Sequence, residues 1–192
     1  MNNEGEALTQ DRIGFENINI ALGILYKEWY ELISQQLSES NGLNLELGCG
    51  ASFIDKIIES VKKSDVFLNA NTDLKINAME VGLKFENKIS NLILVNVFHH
   101  ISNPELFLMS AEKSLLKGGR IIMVEPSNNI WSRLIYKLVG HEKFDTEQIT
   151  WEFESNDPLL DSNQALSWII FKRDYKNFKN YFQNFLYLIR KV

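Results

Sequence analysis

The chain has 192 residues, enough for one domain that buries its own core. Its net charge of -5 excludes a global attraction to nucleic acid. Its single cysteine, Cys49, excludes an intrachain disulfide and makes a reducing compartment the default. Met1 to Arg12 carries neither the basic nor the apolar part of a signal peptide, and no apolar run reaches the length of a membrane span. A soluble cytoplasmic protein is the expectation.

In chain order, Ile18, Leu22, Leu25, Trp29, Leu32 and Ile33 recur at helical spacing and predict an amphipathic helix over about 18–37. Asn41-Gly42 ends it. Leu43 to Leu47 reads as a buried strand that runs straight into Gly48-Cys49-Gly50. Ser52 and Asp55, three residues apart, resemble a capping box and predict a helix from Phe53 to about Val61. Further strands are predicted at Val66 to Leu68, near Lys75 to Asn77, and at Asn91 to Phe98. Pro104 opens a helix to about Leu116, which Gly118-Gly119 stops, and Arg120 to Glu125 is the next strand. Tyr175, Phe178, Phe182 and Phe185 form a helical stripe, and Leu186 to Ile189 reads as the start of a strand. No repeat or Pro/Gly-rich linker divides the chain, so 1–192 is read as one domain, with 1–40 a helical cap and 43–126 a ligand-binding core.

Strands alternating with helices predict an α/β fold with a mostly parallel sheet. Such sheets bind ligands beyond the carboxyl ends of their strands, where the strand order switches. The first strand ends in the Gly-x-Gly turn, and that is the expected ligand site. Two glycines allow a tight turn and close backbone approach. A dinucleotide fingerprint would place a third glycine at position 53, which is Phe53.

Four stretches in order carry a resemblance. They are Glu46-Leu47-Gly48-Cys49-Gly50, then Asn96-Val97-Phe98-His99-His100-Ile101, then Leu115-Leu116-Lys117-Gly118-Gly119-Arg120, and finally Met123-Val124-Glu125-Pro126. Together they resemble the class I S-adenosylmethionine-dependent methyltransferases, in particular the type 11, ubiquinone-biosynthesis-like group. Tyr26, Trp29 and Tyr30, the run His141 to Asp145, Trp151, Asp157-Pro158-Leu159, Asn163 and the run Trp168 to Asp174 look like a bacterial subgroup of it.

The resemblance implies a Rossmann-like methyltransferase fold, S-adenosylmethionine as cofactor, and methyl transfer to a small molecule, with a glycan precursor or lipid-linked metabolite among the acceptors considered. By position, Glu46, Gly48, Gly50 and Ser52 would surround the amino-acid end of the cofactor. Asn69 or Asn71 would stand at the ribose, Asn77-Ala78 at the adenine, and Asn96 beside the methionine part. His100 and His141 are the candidate catalytic residues. His99 and His100, being adjacent, are expected to point apart. His141-Glu142 reads equally well as a pocket cover or a plain surface loop. Tyr26 and Tyr30, one turn apart, either close over the cofactor or pack. Cys49 reads as a small buried filler. No His/Cys cluster has metal-ligand spacing, so no metal is expected. A homodimer is left open.

Several positions depart from the family pattern. Ser52 replaces a third glycine, Asn77 replaces an Asp, and Phe67 to Thr72 holds no carboxylate for the ribose. The C-terminus has room for only one strand where the family ends on an antiparallel pair. These departures support a second reading, a catalytically weak or inactive methyltransferase-like binding or scaffold protein. The basic stretch Lys172, Arg173, Lys176, Lys179, Arg190 and Lys191 reads first as a solvated face, and second as a surface for an acidic partner or a phosphorylated substrate.

Overall fold

A computed structural model describes residues 19–128, 143–157 and 160–183. The described residues open on helix α1 (Ile20–Ser34), capped by Asn19, whose side chain accepts from the Leu22 amide. Strands β1 (Leu43–Leu47), β2 (Val61–Asp65), β3 (Leu74–Lys75), β4 (Ile89–Val95) and β5 (Leu115–Val124) follow. They form one sheet in the order β3-β2-β1-β4-β5, with every pair parallel. This is the Rossmann-like half-sheet that the sequence predicts. Its order switches between β1 and β4, so the carboxyl ends diverge beside the Gly48 turn and Asn96, the place where sheets of this kind bind ligands.

Helices cover both faces. On one, Leu45, Leu47, Leu92 and Leu94 pack against α3 (Pro104–Ser114), through Phe107, Leu108 and Ala111. The same face takes the short helix α4 (Leu166–Trp168), its π-turn extension Ile169–Arg173, and helix α5 (Tyr175–Tyr181). A four-residue helix, α2 (Val81–Lys84), lies against α3, with Gly82 N–H donating to Ser110 Oγ. On the other face, Ile93, Val95 and Val61 meet Tyr30 and Ile33 of α1 together with Phe53, Ile54 and Ile58.

That second face holds the main departure from the predicted elements. No helix runs from Phe53 to Val61; the segment makes only a single 3-10 turn, Ile54–Lys56. Helix α1 occupies the space, and Tyr30 meets Phe53 edge-on, with ring centroids 5.1 Å apart. The expected capping box also fails to close. Ser52 Oγ accepts from Ile54 N–H and meets the Tyr30 hydroxyl at 3.0 Å, while Asp55 pairs with Lys63.

Strand β2 is correspondingly earlier than expected. It is Val61-Lys62-Lys63-Ser64-Asp65, not Val66 to Leu68, and Leu68 is exposed. The strand survives its polarity because each buried polar group has a partner. Lys63 Nζ donates to Asp55 and Asn71, Ser64 Oγ donates to the Glu46 carbonyl, and Asp65 accepts from Gly50 N–H. Gly118-Gly119 does not precede β5 but sits within it. Ile89 pairs with Leu115 and Asn91 with Arg120, so the glycines lie in a bulge, with Gly118 at φ +80. Phe185, Leu186 to Ile189, Arg190 and Lys191 lie outside the described residues, as do His141 and Glu142. No helix among the described residues is long and apolar enough to cross a membrane.

Candidate functional site at the carboxyl edge of the sheet

The turn after β1 is built from backbone that only glycine adopts easily. Gly48 has φ +64 and Gly50 φ +47. A Cβ on Gly48 would also stand 2.7 Å from a methyl of Val97, in the facing loop after β4. Cys49 N–H donates to the Ser64 carbonyl at 2.9 Å, and Ser52 N–H donates to the Cys49 carbonyl at 2.7 Å.

Glu46 lies beneath this turn and is only 2 % exposed. Its register partner on β2 is Lys63. Ser52 hydrogen-bonds to the carboxyl, yet Oε2 has no partner among the described residues. Burial pushes the Glu46 carboxyl up to about 8, against the opposing pull of Ser52 and Lys63 and with a further push from Asp55 and Asp65. Burial, with Glu46 adding to it, also pushes the Cys49 thiol up to about 12, so Cys49 stays a thiol and packs. Tyr30 is likewise held well above the usual phenol range, first by burial and then by Glu46.

An acid does stand just ahead of the Phe67 to Thr72 segment, Asp65. It stands at the carboxyl end of β2, and its Oδ2 accepts from Gly50 N–H at 2.9 Å while Oδ1 accepts from Val66 N–H at 2.7 Å. Burial raises its carboxyl above the ordinary Asp value, partly offset by bonds from Gly50, Val66 and Phe67. Asn69 and Asn71, expected at the ribose, do other work. Asn69 Oδ1 accepts from Asn71 N–H, and Asn71 Nδ2 donates to the Gly50 and Ser52 carbonyls. Asn71 is therefore a strut under the glycine turn.

Asn77 follows β3 and is exposed; its Oδ1 caps the 3-10 turn Ala78–Glu80 by accepting from Met79 N–H. Ala78 is partly buried against the core. Asn96 follows β4 at φ +55 and donates from Nδ2 to the Tyr26 hydroxyl at 3.2 Å. Tyr26 in turn meets Trp29 and Tyr30. The structure thus gathers Glu46, Gly48, Gly50, Ser52, Asp65 and Asn96 at the switch in strand order, with Tyr26 and Tyr30 of α1 along one side.

A second cluster stands next to it. Glu125, after β5, accepts from the amides of Val97, Phe98 and His99 at 2.9, 2.8 and 3.3 Å, and from His99 Nδ1 at 2.7 Å. Both side chains are buried, at 4 % exposure for His99 and 7 % for Glu125. The carboxylate caps the 3-10 turn Phe98–His100 and orients the imidazole in one step. His99 and His100 do not point apart. On this turn their rings lie 4.3 Å from each other, and His100 Nδ1 meets the Asp161 carbonyl at 3.2 Å. His99 and Glu125 were legible as a motif but not as a pair; an acid at the end of one strand and a His after its neighbour was the available signal.

The basic C-terminal stretch lies elsewhere. An open groove is lined by Lys172, Arg173, Asp174, Tyr175, Lys176 and Asn177. Arg173 is spent within the fold, on Asp174 and on the carbonyls of Thr146 and Gln148. Among the described residues no group of three or more His, Cys, Asp or Glu is placed to hold a metal ion.

No protein-family profile matches the chain, and no curated protein does. The type 11 resemblance therefore rests on its motifs. Among the solved structures that align with the fold are two methyltransferase domains. The CMeT domain of the citrinin polyketide synthase does so with a TM-score of 0.46 and 12% identity, over 90% of this chain and 48% of that one. The carbon methyltransferase CurJ aligns with a TM-score of 0.43 and 15% identity, over 76% of this chain and 42% of that one. The chain spans less than half the length of each, and alignments this remote carry no information on chemistry.

Proposed function

We propose that the chain binds S-adenosylmethionine at the Gly48–Gly50 turn and transfers its methyl group to a small molecule that loses a proton on accepting it. One observation carries the reading: a buried carboxyl, Glu46, with an unpartnered Oε2 directly under a two-glycine turn at the switch in strand order. Such an atom calls for a cationic donor, because a buried acceptor left unpaired costs about 1–3 kcal/mol. The cofactor's ammonium supplies one.

The other residues fit the same ligand. Asp65, buried at the end of β2 and already accepting from the Gly50 and Val66 amides, is the carboxylate assigned to the ribose hydroxyls, which would donate to its remaining lone pairs. Asn77 stands after β3 for the adenine, and Asn96 after β4 for the methionine part. Ser52 and Gly50 close the turn around the amino-acid end. When bound, the cofactor supplies a sulfonium methyl that is already activated, so the protein's task is placement.

His99 is assigned the proton. Glu125 holds its Nδ1 at 2.7 Å, which fixes the tautomer with the proton on Nδ1 and makes Nε2 the basic nitrogen. His100 stays the second candidate: its Nδ1 donates to the Asp161 carbonyl, which places its proton on Nδ1 in the same way, and what favours His99 is the charged partner Glu125. Assigning Asp65 to the ribose weakens one of the grounds for a decayed binding protein, the absence of a ribose acid; the departures at Ser52 and Asn77 stand. Calorimetric titration with S-adenosylmethionine and its demethylated product tests the reading. Binding of both is expected; binding of neither by the folded protein rejects it.

A further inference from the structure

We propose that Glu46 is protonated in the free protein and releases that proton when a cationic ligand enters the glycine turn, so that cofactor binding here is proton-coupled. The inference rests on the pocket reading above and adds its regulation by pH.

The geometry sets up the coupling. Glu46 is enclosed on every side, and the groups facing it are few. From β2 come Lys63 and Asp65, from the turn Ser52, Cys49 and Asp55, and from α1 Tyr30; its register partner on β4 is Ile93. Lys63 is the single cation among them, and it is already committed. Its ammonium lies 2.9 Å from Asp55 Oδ1 and also donates to Asn71 Oδ1. Three acids thus share one lysine, and the lysine is turned toward the most exposed of them. The Asp55 side chain is 43% exposed, against 2 % for Glu46. Glu46 is left with a hydroxyl-scale partner, Ser52, and an orphaned Oε2. An ionised carboxylate in that position has no counter-charge of its own, only the partial pull of a lysine bonded to Asp55, so it holds a proton instead. The upward push on its carboxyl has the same origin.

A ligand ammonium or sulfonium reverses the balance. It brings the counter-charge that Lys63 withholds and stabilises the ionised form. The O–H bond of Glu46 breaks, its electron pair stays on the carboxylate, and the proton passes to buffer. Below pH 7 the cofactor's amino group keeps its own proton, so the exchange is Glu46's alone. Each unit of rising pH in that range then tightens binding about tenfold.

Titration of the parent with S-adenosylmethionine at about pH 6.5, in two buffers of different ionisation enthalpy, reads the proton directly. The apparent enthalpies should differ by an amount equal to release of close to one proton. Glu46→Gln should bind with the same enthalpy in both buffers. Cofactor binding by the parent with no buffer dependence overturns this proposal and leaves the pocket reading standing. Buffer dependence that persists in Glu46→Gln also overturns it, by assigning the proton to another group. No binding of the cofactor or its demethylated product rejects the pocket reading and this inference together.

Discussion

Replacing Glu125 with Gln tests whether one buried carboxylate organises the rim of the site. The carboxylate takes four donors, three amides at 2.8–3.3 Å and the His99 imidazole at 2.7 Å. A glutamine has one acceptor oxygen and turns an amide donor toward the remaining N–H groups. At 7 % exposure water cannot make up the loss. Losing two charge-assisted bonds at roughly 1.5 kcal/mol each costs on the order of 3 kcal/mol. In a domain of this size each kcal/mol moves the melting temperature by about 2–4 °C, so a fall of roughly 6–12 °C is expected. Scanning calorimetry measures it, with the exposed Glu154→Gln as control. Nitrogen-15 spectra of His99 should lose the single Nδ1–H tautomer in the variant. A melting temperature within about 2 °C of the parent, with the tautomer unchanged, would refute the capping account.

Three further outcomes follow from the site. Gly48→Ala places a Cβ at φ +64 and 2.7 Å from Val97, so it should destabilise the fold by about 2–4 kcal/mol, read as a lower melting temperature. Asp65→Asn should weaken cofactor binding about tenfold to a hundredfold by calorimetry, whereas Asn69→Asp should gain nothing, because Asn69 only receives the Asn71 amide. Glu46 binds its proton more tightly folded, at about 8, than unfolded, at 4.5. Its contribution to stability is therefore complete below the unfolded value and disappears as pH rises through the folded one. Thermal melts should show Glu46→Gln gaining on the parent from about pH 5 to pH 8, by an amount on the order of a few kcal/mol. A difference that stays flat across that range would show that the Glu46 carboxyl is not perturbed.

Buried apolar runs made β1, β4 and α3 legible, because position alone decides their register and face. Strand β2 was not legible for the opposite reason. Val61 to Asp65 has one apolar residue, and the strand holds because Ser64 finds a partner on β1 while Lys63 and Asp65 find theirs in the loops at its end. Pattern reading followed the apolar Val66 to Leu68 instead. That displacement moved the expected ribose position onto Asn69 and Asn71 and hid Asp65. The helix after the turn failed similarly. Ser52 and Asp55 have the right spacing for a capping box, but Tyr30 and Lys63, distant in sequence, claim both. The His99–Glu125 pair joins the ends of neighbouring strands, a proximity that only the assembled sheet reveals. His141 and Phe185 lie outside the described residues.

Nitrogen-15 spectra of the full chain, recorded as S-adenosylmethionine is added, test the central claim most directly. The account predicts that the amides of Gly48, Cys49, Gly50, Val66 and Asn96 shift together and saturate with one affinity, because they line one crevice at the switch in strand order. Spectra that stay unchanged at millimolar cofactor, or shifts confined to the groove at Lys172 to Asn177, would contradict it.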